Sequence, residues 1–108
     1  MTAPLQPAFR ALADPTRRDI LHRLSAREMT IAEITEHCAM TRAAVKKHLT
    51  VLQDGDLIRM RRQGRETYSR LNAAALRPVV DWLGFFETFW DDRLDALHAT
   101  LSQKEPDQ

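Results

Sequence analysis

The chain has 108 residues, 44% apolar and 29% charged, with one Cys and a net charge of +1. A chain of this length forms one domain and buries roughly 60 to 68% of its extended surface, too little for a pocketed enzyme with a separate cofactor domain. A lone Cys excludes an internal disulfide, no apolar run approaches the roughly 20 residues of a membrane span, and Met1 to Phe9 lacks a basic-then-apolar leader, so a cytoplasmic binding module is expected.

Phe9 and Leu12, three apart, predict a short helix over Pro7 to Ala13 that ends before Asp14. Asp14-Pro15 then supplies an N-cap oxygen and a proline at the first helical position, where the missing N–H costs nothing. With Ile20, Leu21 and Leu24 as its apolar face, this second helix spans Pro15 to Ala26. Arg17 and Arg18 stand at its start, where positive charge is unfavourable, and are secondary candidates for DNA contact.

Thr30 and Glu33 form a capping box, which starts a third helix at Ile31 that runs to about His37 with Ile31 and Ile34 facing inward. Cys38, Ala39 and Met40 make a tight connection to Thr41, the cap of a fourth helix that Asp54-Gly55 stops. From Leu57 to Leu71 short β-type runs flank Gln63-Gly64-Arg65, the pattern of a hairpin. Asn72 is a candidate cap for one long helix, with Pro78 in its first turn, that reaches about Leu101. The domain is therefore 1–102, with a helix-turn-helix at 30–54, a hairpin wing at 57–71, a long helix at 73–102 and a disordered tail at 103–108.

Charge is unevenly distributed along these elements. Residues 41–70 carry eight basic side chains against three acidic, while residues 71–108 carry three against seven. A concentrated basic segment matters more to a polyanionic partner than the net sum does. On a helical wheel Val45, Leu49 and Leu52 share one side of the fourth helix; Arg42, Ala43, Lys46, Lys47 and Thr50 share the other. Arg and Lys reach guanine edges or phosphates, Thr donates or accepts, and Ala43 permits close approach, so this small basic face suits the major groove. Taken alone it would better describe a solvated amphipathic helix. The context decides: a short capped helix, a tight turn, a basic helix and an Arg-rich hairpin together make a winged helix-turn-helix.

Three stretches carry a resemblance to a known family: Phe9-Arg10-Ala11-Leu12-Ala13-Asp14-Pro15-Thr16-Arg17-Arg18 with Ile20-Leu21, then Ala44-Val45-Lys46-Lys47-His48-Leu49 with Val51-Leu52, then Leu57-Ile58 and Gly64-Arg65. The chain resembles the ArsR-type winged helix-turn-helix repressors over nearly its whole length, and Phe89 to Leu97 looks like the branch without an evident metal site. The resemblance implies a homodimeric repressor on a partly palindromic double-stranded operator. The candidate DNA contacts are Thr41, Arg42, Ala43, Lys46, Lys47 and Thr50, with Arg59, Arg61, Arg62 and Arg65 of the wing meeting phosphates or a minor groove.

Five of the seven aromatic residues, Trp82, Phe85, Phe86, Phe89 and Trp90, fall within nine positions of the last helix. The apolar arc from Leu76 to Trp90 covers roughly 220°, against the stripe of about 100° that one packed face needs. One side covers the domain; the surplus predicts a seam between two copies at Val79, Trp82, Leu83, Phe86, Phe89, Trp90, Leu94 and Leu97. A ligand pocket among these aromatics is the less economical reading.

Metal sensors of the family use a Cys-x-Cys pair before the recognition helix, or Asp and His ligands on the last helix. Here Cys38 stands alone, at what reads as the buried turn of the motif. Asp91, Asp95 and His98 could supply half a site across a dimer, so a zinc-type metal-responsive repressor is the alternative reading. His48 falls on the inner side of its helix as a hydrogen-bonded, packed histidine. Isolated glycines and the absence of any Ser or Cys with His and carboxylate at a recognisable spacing argue against an enzyme. An adaptor that binds only protein is a third reading, disfavoured by the basic face and wing. The residues specify no cofactor, no bound metal and no small-molecule effector.

Overall fold

The structure is a computed structural model that describes residues 5–104. Its elements are α1 (Gln6–Leu12), α2 (Pro15–Ala26), β1 (Met29–Thr30), α3 (Ile31–His37), α4 (Arg42–Asp54), β2 (Ile58–Gln63), β3 (Glu66–Leu71), a 3₁₀ turn (Ala73–Leu76), α5 (Arg77–Gly84) and α6 (Glu87–Lys104). Mainly α, with a small sheet whose hairpin is the wing, the chain folds as a winged helix-turn-helix.

Local chemistry sets the starts of α2, α3 and α4. The Arg17 N–H donates to Asp14 Oδ2 at 3.1 Å, which caps α2 ahead of Pro15. The capping box of α3 closes from both ends: the Glu33 N–H donates to Thr30 Oγ1 at 3.1 Å and the Thr30 N–H to Glu33 Oε1 at 2.9 Å. Thr41 caps α4 through the Ala44 N–H, also at 3.1 Å. Each cap satisfies N–H groups that have no partner inside their own helix.

Ile20, Ile34, Val45, Leu49, Leu52, Leu57 and Ile58 meet in one core and are at most 1% exposed, so α2, α3 and α4 are packed against the base of the wing. Truncating any one of the Leu or Ile residues among these to Ala costs about 2–5 kcal/mol. In the sheet, of order β1-β3-β2, every pair is antiparallel. The pairs Met29–Ser69 and Thr30–Tyr68 tie the segment between α2 and α3 to the wing. This two-residue strand is not expected from the sequence, because it is too short to show a period.

The end of the chain differs from the single long helix expected. Asn72 does not cap the helical segment after it; its side-chain amide donates to the Asp56 carbonyl at 2.8 Å and so joins the two ends of the wing. The helical path is then broken after Gly84. Phe85 and Phe86 donate back to Trp82 and Leu83 in tighter i→i−3 bonds, at 3.2 and 3.0 Å, before α6 begins. A glycine here weakens the helix by roughly 1 kcal/mol relative to Ala, which favours such a break at this point. At its far end α6 continues to Lys104, so residues 103 and 104 of the expected tail are helical; 105–108 lie outside the described residues. The radius of gyration is 19.4 Å, against about 13 Å for a compact domain of this size, and the long axis is 66 Å. The residues from Trp82 to Leu101 are exposed throughout.

Candidate nucleic-acid interface

The outward row of α4 is built by subtraction. Val45, Leu49 and Leu52 turn into the core, which leaves Arg42, Ala43, Lys46, Lys47 and Thr50 exposed on one side. Thr41 sits exposed at the N-terminal end of the same row. Among the described residues no ion pair engages Arg42, Lys46 or Lys47. The Thr50 hydroxyl donates to the Lys46 carbonyl at 3.0 Å and retains its acceptor lone pairs.

The wing begins three residues after α4. Asp56, at φ 62°, makes the left-handed turn and the Leu57 N–H donates to the Leu52 carbonyl at 3.0 Å, so β2 leaves the end of α4 in a fixed direction. At the tip Gly64, at φ 64°, takes the first position of a two-residue turn, where a side chain would be strained. Strand alternation then separates the arginines. Arg59 and Arg61 share one face with Arg70 and Tyr68 opposite them, while Arg62 projects to the other.

The five arginines are not equally available. Arg61 is anchored: Nη2 meets Glu28 Oε1 at 2.5 Å, Nη1 donates to Gln63, and the guanidinium lies 4.6 Å from the centre of the Tyr68 ring. Arg59 is 3.5 Å from Asp56, and Arg62 Nε is 3.4 Å from the Gly64 carbonyl. Arg65 and Arg70 are exposed beside them; Arg70 faces Arg59 directly across the strands. Two like charges in that position are destabilising unless an anion lies near them.

Arg17 and Arg18, the weaker candidates for DNA contact, have a structural role within the chain. Arg17 Nε donates to the Ala11 carbonyl and Nη2 to that of Arg10, both at 2.9 Å, while Arg18 Nη1 donates to Leu12 at 2.8 Å. These are the last carbonyls of α1, beyond the reach of its own i→i−4 ladder; that of Arg10 also accepts from the Ala13 N–H at 3.3 Å. The positive charge that looks misplaced at the start of α2 serves the negative end of α1. Arg17 Nη1 also lies 3.3 Å from His48 Nδ1 on the inner side of α4. No local pattern announces this role, because the acceptors belong to another helix.

Cys38 is buried at the turn between α3 and α4, and burial pushes its thiol pKa up, which suppresses the reactive thiolate. Asp91, Asp95 and His98 are exposed on α6. Among the described residues no three His, Cys, Asp or Glu side chains of one chain converge as metal ligands.

The residues of the expected seam divide in two. Val79 is 6% exposed and belongs to the domain core, so it is not available to a partner. Trp82, Leu83, Phe86, Phe89, Trp90, Leu94 and Leu97 are all exposed, Phe89 at 70% and Trp90 at 68%. A chain of edge-to-face ring contacts runs from Phe9 to Trp82 (5.3 Å), Phe86 (5.1 Å) and Phe85 (5.0 Å) and joins α1 to this face. Beside it lies an open groove of about 850 Å³ lined by Arg77, Val80, Trp82, Leu83, Phe86 and Trp90 among others. No helix of the described residues is long and apolar enough to cross a membrane.

A helix-turn-helix with a free basic row and an Arg-rich wing defines a DNA-binding protein of the winged-helix class. Residues 12–61 match the family model described as a helix-turn-helix domain. The transcriptional repressor SdpR of Bacillus subtilis is 35% identical over 75 residues, 69% of this chain and 83% of that protein. The HTH-type transcriptional regulator Rv2034 of Mycobacterium tuberculosis is 34% identical over 93% of this chain and 90% of its own length. Among solved structures, an ArsR-like transcriptional regulator from Rhodococcus sp. RHA1 superposes with a TM-score of 0.73 at 31% identity, covering 94% of this chain and 93% of that one. The chain belongs to the ArsR-type family of helix-turn-helix transcriptional regulators. It is a DNA-binding transcriptional repressor and not an enzyme.

Proposed function

We propose that this repressor works as a homodimer on an inverted-repeat operator, with α4 as the recognition helix. The observation that carries the reading is the row Arg42, Ala43, Lys46, Lys47 and Thr50, wholly exposed and free of ion pairs among the described residues. Lys46 and Arg42 read base edges, Thr41 and Thr50 add polar contacts, and Ala43 keeps the helix close to the groove floor. Arg62 and Arg65, with Arg59 and Arg70, contact the flanking phosphates; Arg61 shapes the wing through Glu28 and Tyr68 rather than reaching out.

The dimer is argued from the apolar surface of α5 and α6. Exposed Trp82, Phe86, Phe89, Trp90, Leu94 and Leu97 on one projecting helical arm exceed what a monomer leaves in water. Two-fold pairing along this arm sets two copies of α4 about one DNA turn apart, roughly 34 Å, so half-sites are inverted and centred about 10 base pairs apart or a multiple of that. The site of action is the cytoplasm. Selection of bound sequences from random DNA with the purified protein tests this: an inverted repeat with that spacing is expected, and recovery of no preferred sequence contradicts it.

A further inference from the structure

We propose that Arg17 and His48 are positioning residues for DNA recognition: they hold the recognition helix to α1 and set the orientation at which α4 presents its basic row. The inference rests on the reading of α4 as the DNA-contacting helix and goes beyond it to how the helix is held.

Val45, Leu49 and Leu52 fix which side of α4 faces the core, but apolar contact is non-directional and holds the last few degrees of rotation about the helix axis less tightly than a hydrogen bond does. A side chain that reads a base by two hydrogen bonds needs its helix held within a narrow angular range. His48 supplies a directional contact from the buried side. Its side chain is 19% exposed, and Nδ1 lies 3.3 Å from Arg17 Nη1 and 3.9 Å from Asp14 Oδ2. Arg17 is itself immobilised, because Nε and Nη2 are bound to the Ala11 and Arg10 carbonyls and its backbone N–H to Asp14. One guanidinium thus bridges the C-terminus of α1 to the middle of α4. At the end of α4, Gly55 lies against Pro7 and Ala8 of the same helix α1.

α1 also touches the exposed aromatic face through Phe9 and Trp82. It therefore lies between that face and α4, and the Arg17 bridge is the polar part of the connection. Arg17 can only donate, so His48 Nδ1 must accept, and the neutral imidazole carries its proton on Nε2.

The test uses the whole chain and two readouts. In the first, DNA sequences selected by the parent protein and random DNA of equal length are titrated with His48→Leu, His48→Gln and Arg17→Lys. His48→Leu keeps an apolar body without the acceptor, and discrimination between selected and random DNA should fall about tenfold, with random-DNA affinity within about twofold of the parent. His48→Gln keeps an acceptor and should restore most of it; Arg17→Lys cannot bridge three acceptors and should resemble His48→Leu. Unchanged discrimination in folded His48→Leu, or equal losses on both DNAs, overturns the proposal. The second readout needs no DNA: ring ¹⁵N shifts of His48 in the free protein should report the Nε2–H tautomer, and an Nδ1–H ring overturns the bridge. A parent protein that selects no sequence refutes the DNA reading instead, and the ring tautomer still judges the bridge by itself.

Discussion

Gly55 lies so close to Pro7 that a Cβ on it would stand 2.9 Å from the Pro7 carbonyl oxygen and 3.2 Å from the Ala8 Cα. The glycine is required by this approach of α1 rather than by its own backbone, since its φ is −81° and the left-handed residue is its neighbour Asp56. Gly55→Ala should therefore destabilise the protein by about 1–3 kcal/mol, despite the gain of up to about 1 kcal/mol that Ala normally brings by restricting the unfolded chain. Urea unfolding measures it; an unchanged midpoint would mean that α1 gives way freely.

Lys46→Ala and Arg42→Ala should weaken operator binding, and at least one should relax the base preference at one position per half-site by about 1–3 kcal/mol. Competition titrations with single-base operator variants separate base reading from phosphate contact. Equal losses on operator and random DNA for both substitutions would show that neither residue reads bases.

The wing arginines should act through phosphates. Arg62→Ala with Arg65→Ala should lower affinity for all sequences and reduce the log–log salt slope by about 0.9 for each phosphate no longer neutralised. Arg61→Ala should alter the slope least, because Arg61 is held by Glu28 and stacked on Tyr68. A slope unchanged in the double variant would keep the wing off the DNA backbone.

Acid should loosen two helix starts. The Arg17 backbone N–H, aided by the nearby Arg17 guanidinium, holds the Asp14 carboxyl below its ordinary pKa. The Thr30 backbone N–H and then Arg27 do the same for Glu33. Groups with lowered folded-state values contribute stability that is complete above the unfolded carboxylate range, roughly pH 4–4.5, and lost as pH falls through the folded values. Asp14→Ser keeps a capping oxygen without the titration, so its stability should fall less steeply below about pH 4.5 than the parent's. Parallel acid limbs in urea unfolding would remove Asp14 from this account.

Whether a feature is legible in the sequence depends on whether its cause is local. The bounds of α2 and α3 can be read because Asp14-Pro15 and the Thr30–Glu33 box lie within one turn of the residues they serve. The outward row of α4 is legible for a similar reason, since 100° per residue separates Val45, Leu49 and Leu52 from Lys46 and Thr50. Features set by distant partners are not. Arg17 looks free until the ends of α1 and α4 are placed beside it, and Val79 looks like part of the seam until the core closes over it. The break at Phe85-Phe86 is hidden because the apolar spacing continues across it.

Sedimentation of the paired substitutions Trp90→Asp and Leu94→Asp, combined with titration of the selected operator, tests the dimeric repressor directly. Both side chains are at least half exposed in one copy, so the substitutions should leave the domain folded. If the arm closes the dimer, a charge at these positions should yield monomers at micromolar concentration and sharply weaker operator binding, because a single half-site contact forgoes the gain from tethering two. A folded double variant that stays dimeric and keeps full operator affinity would contradict the account and place the interface elsewhere.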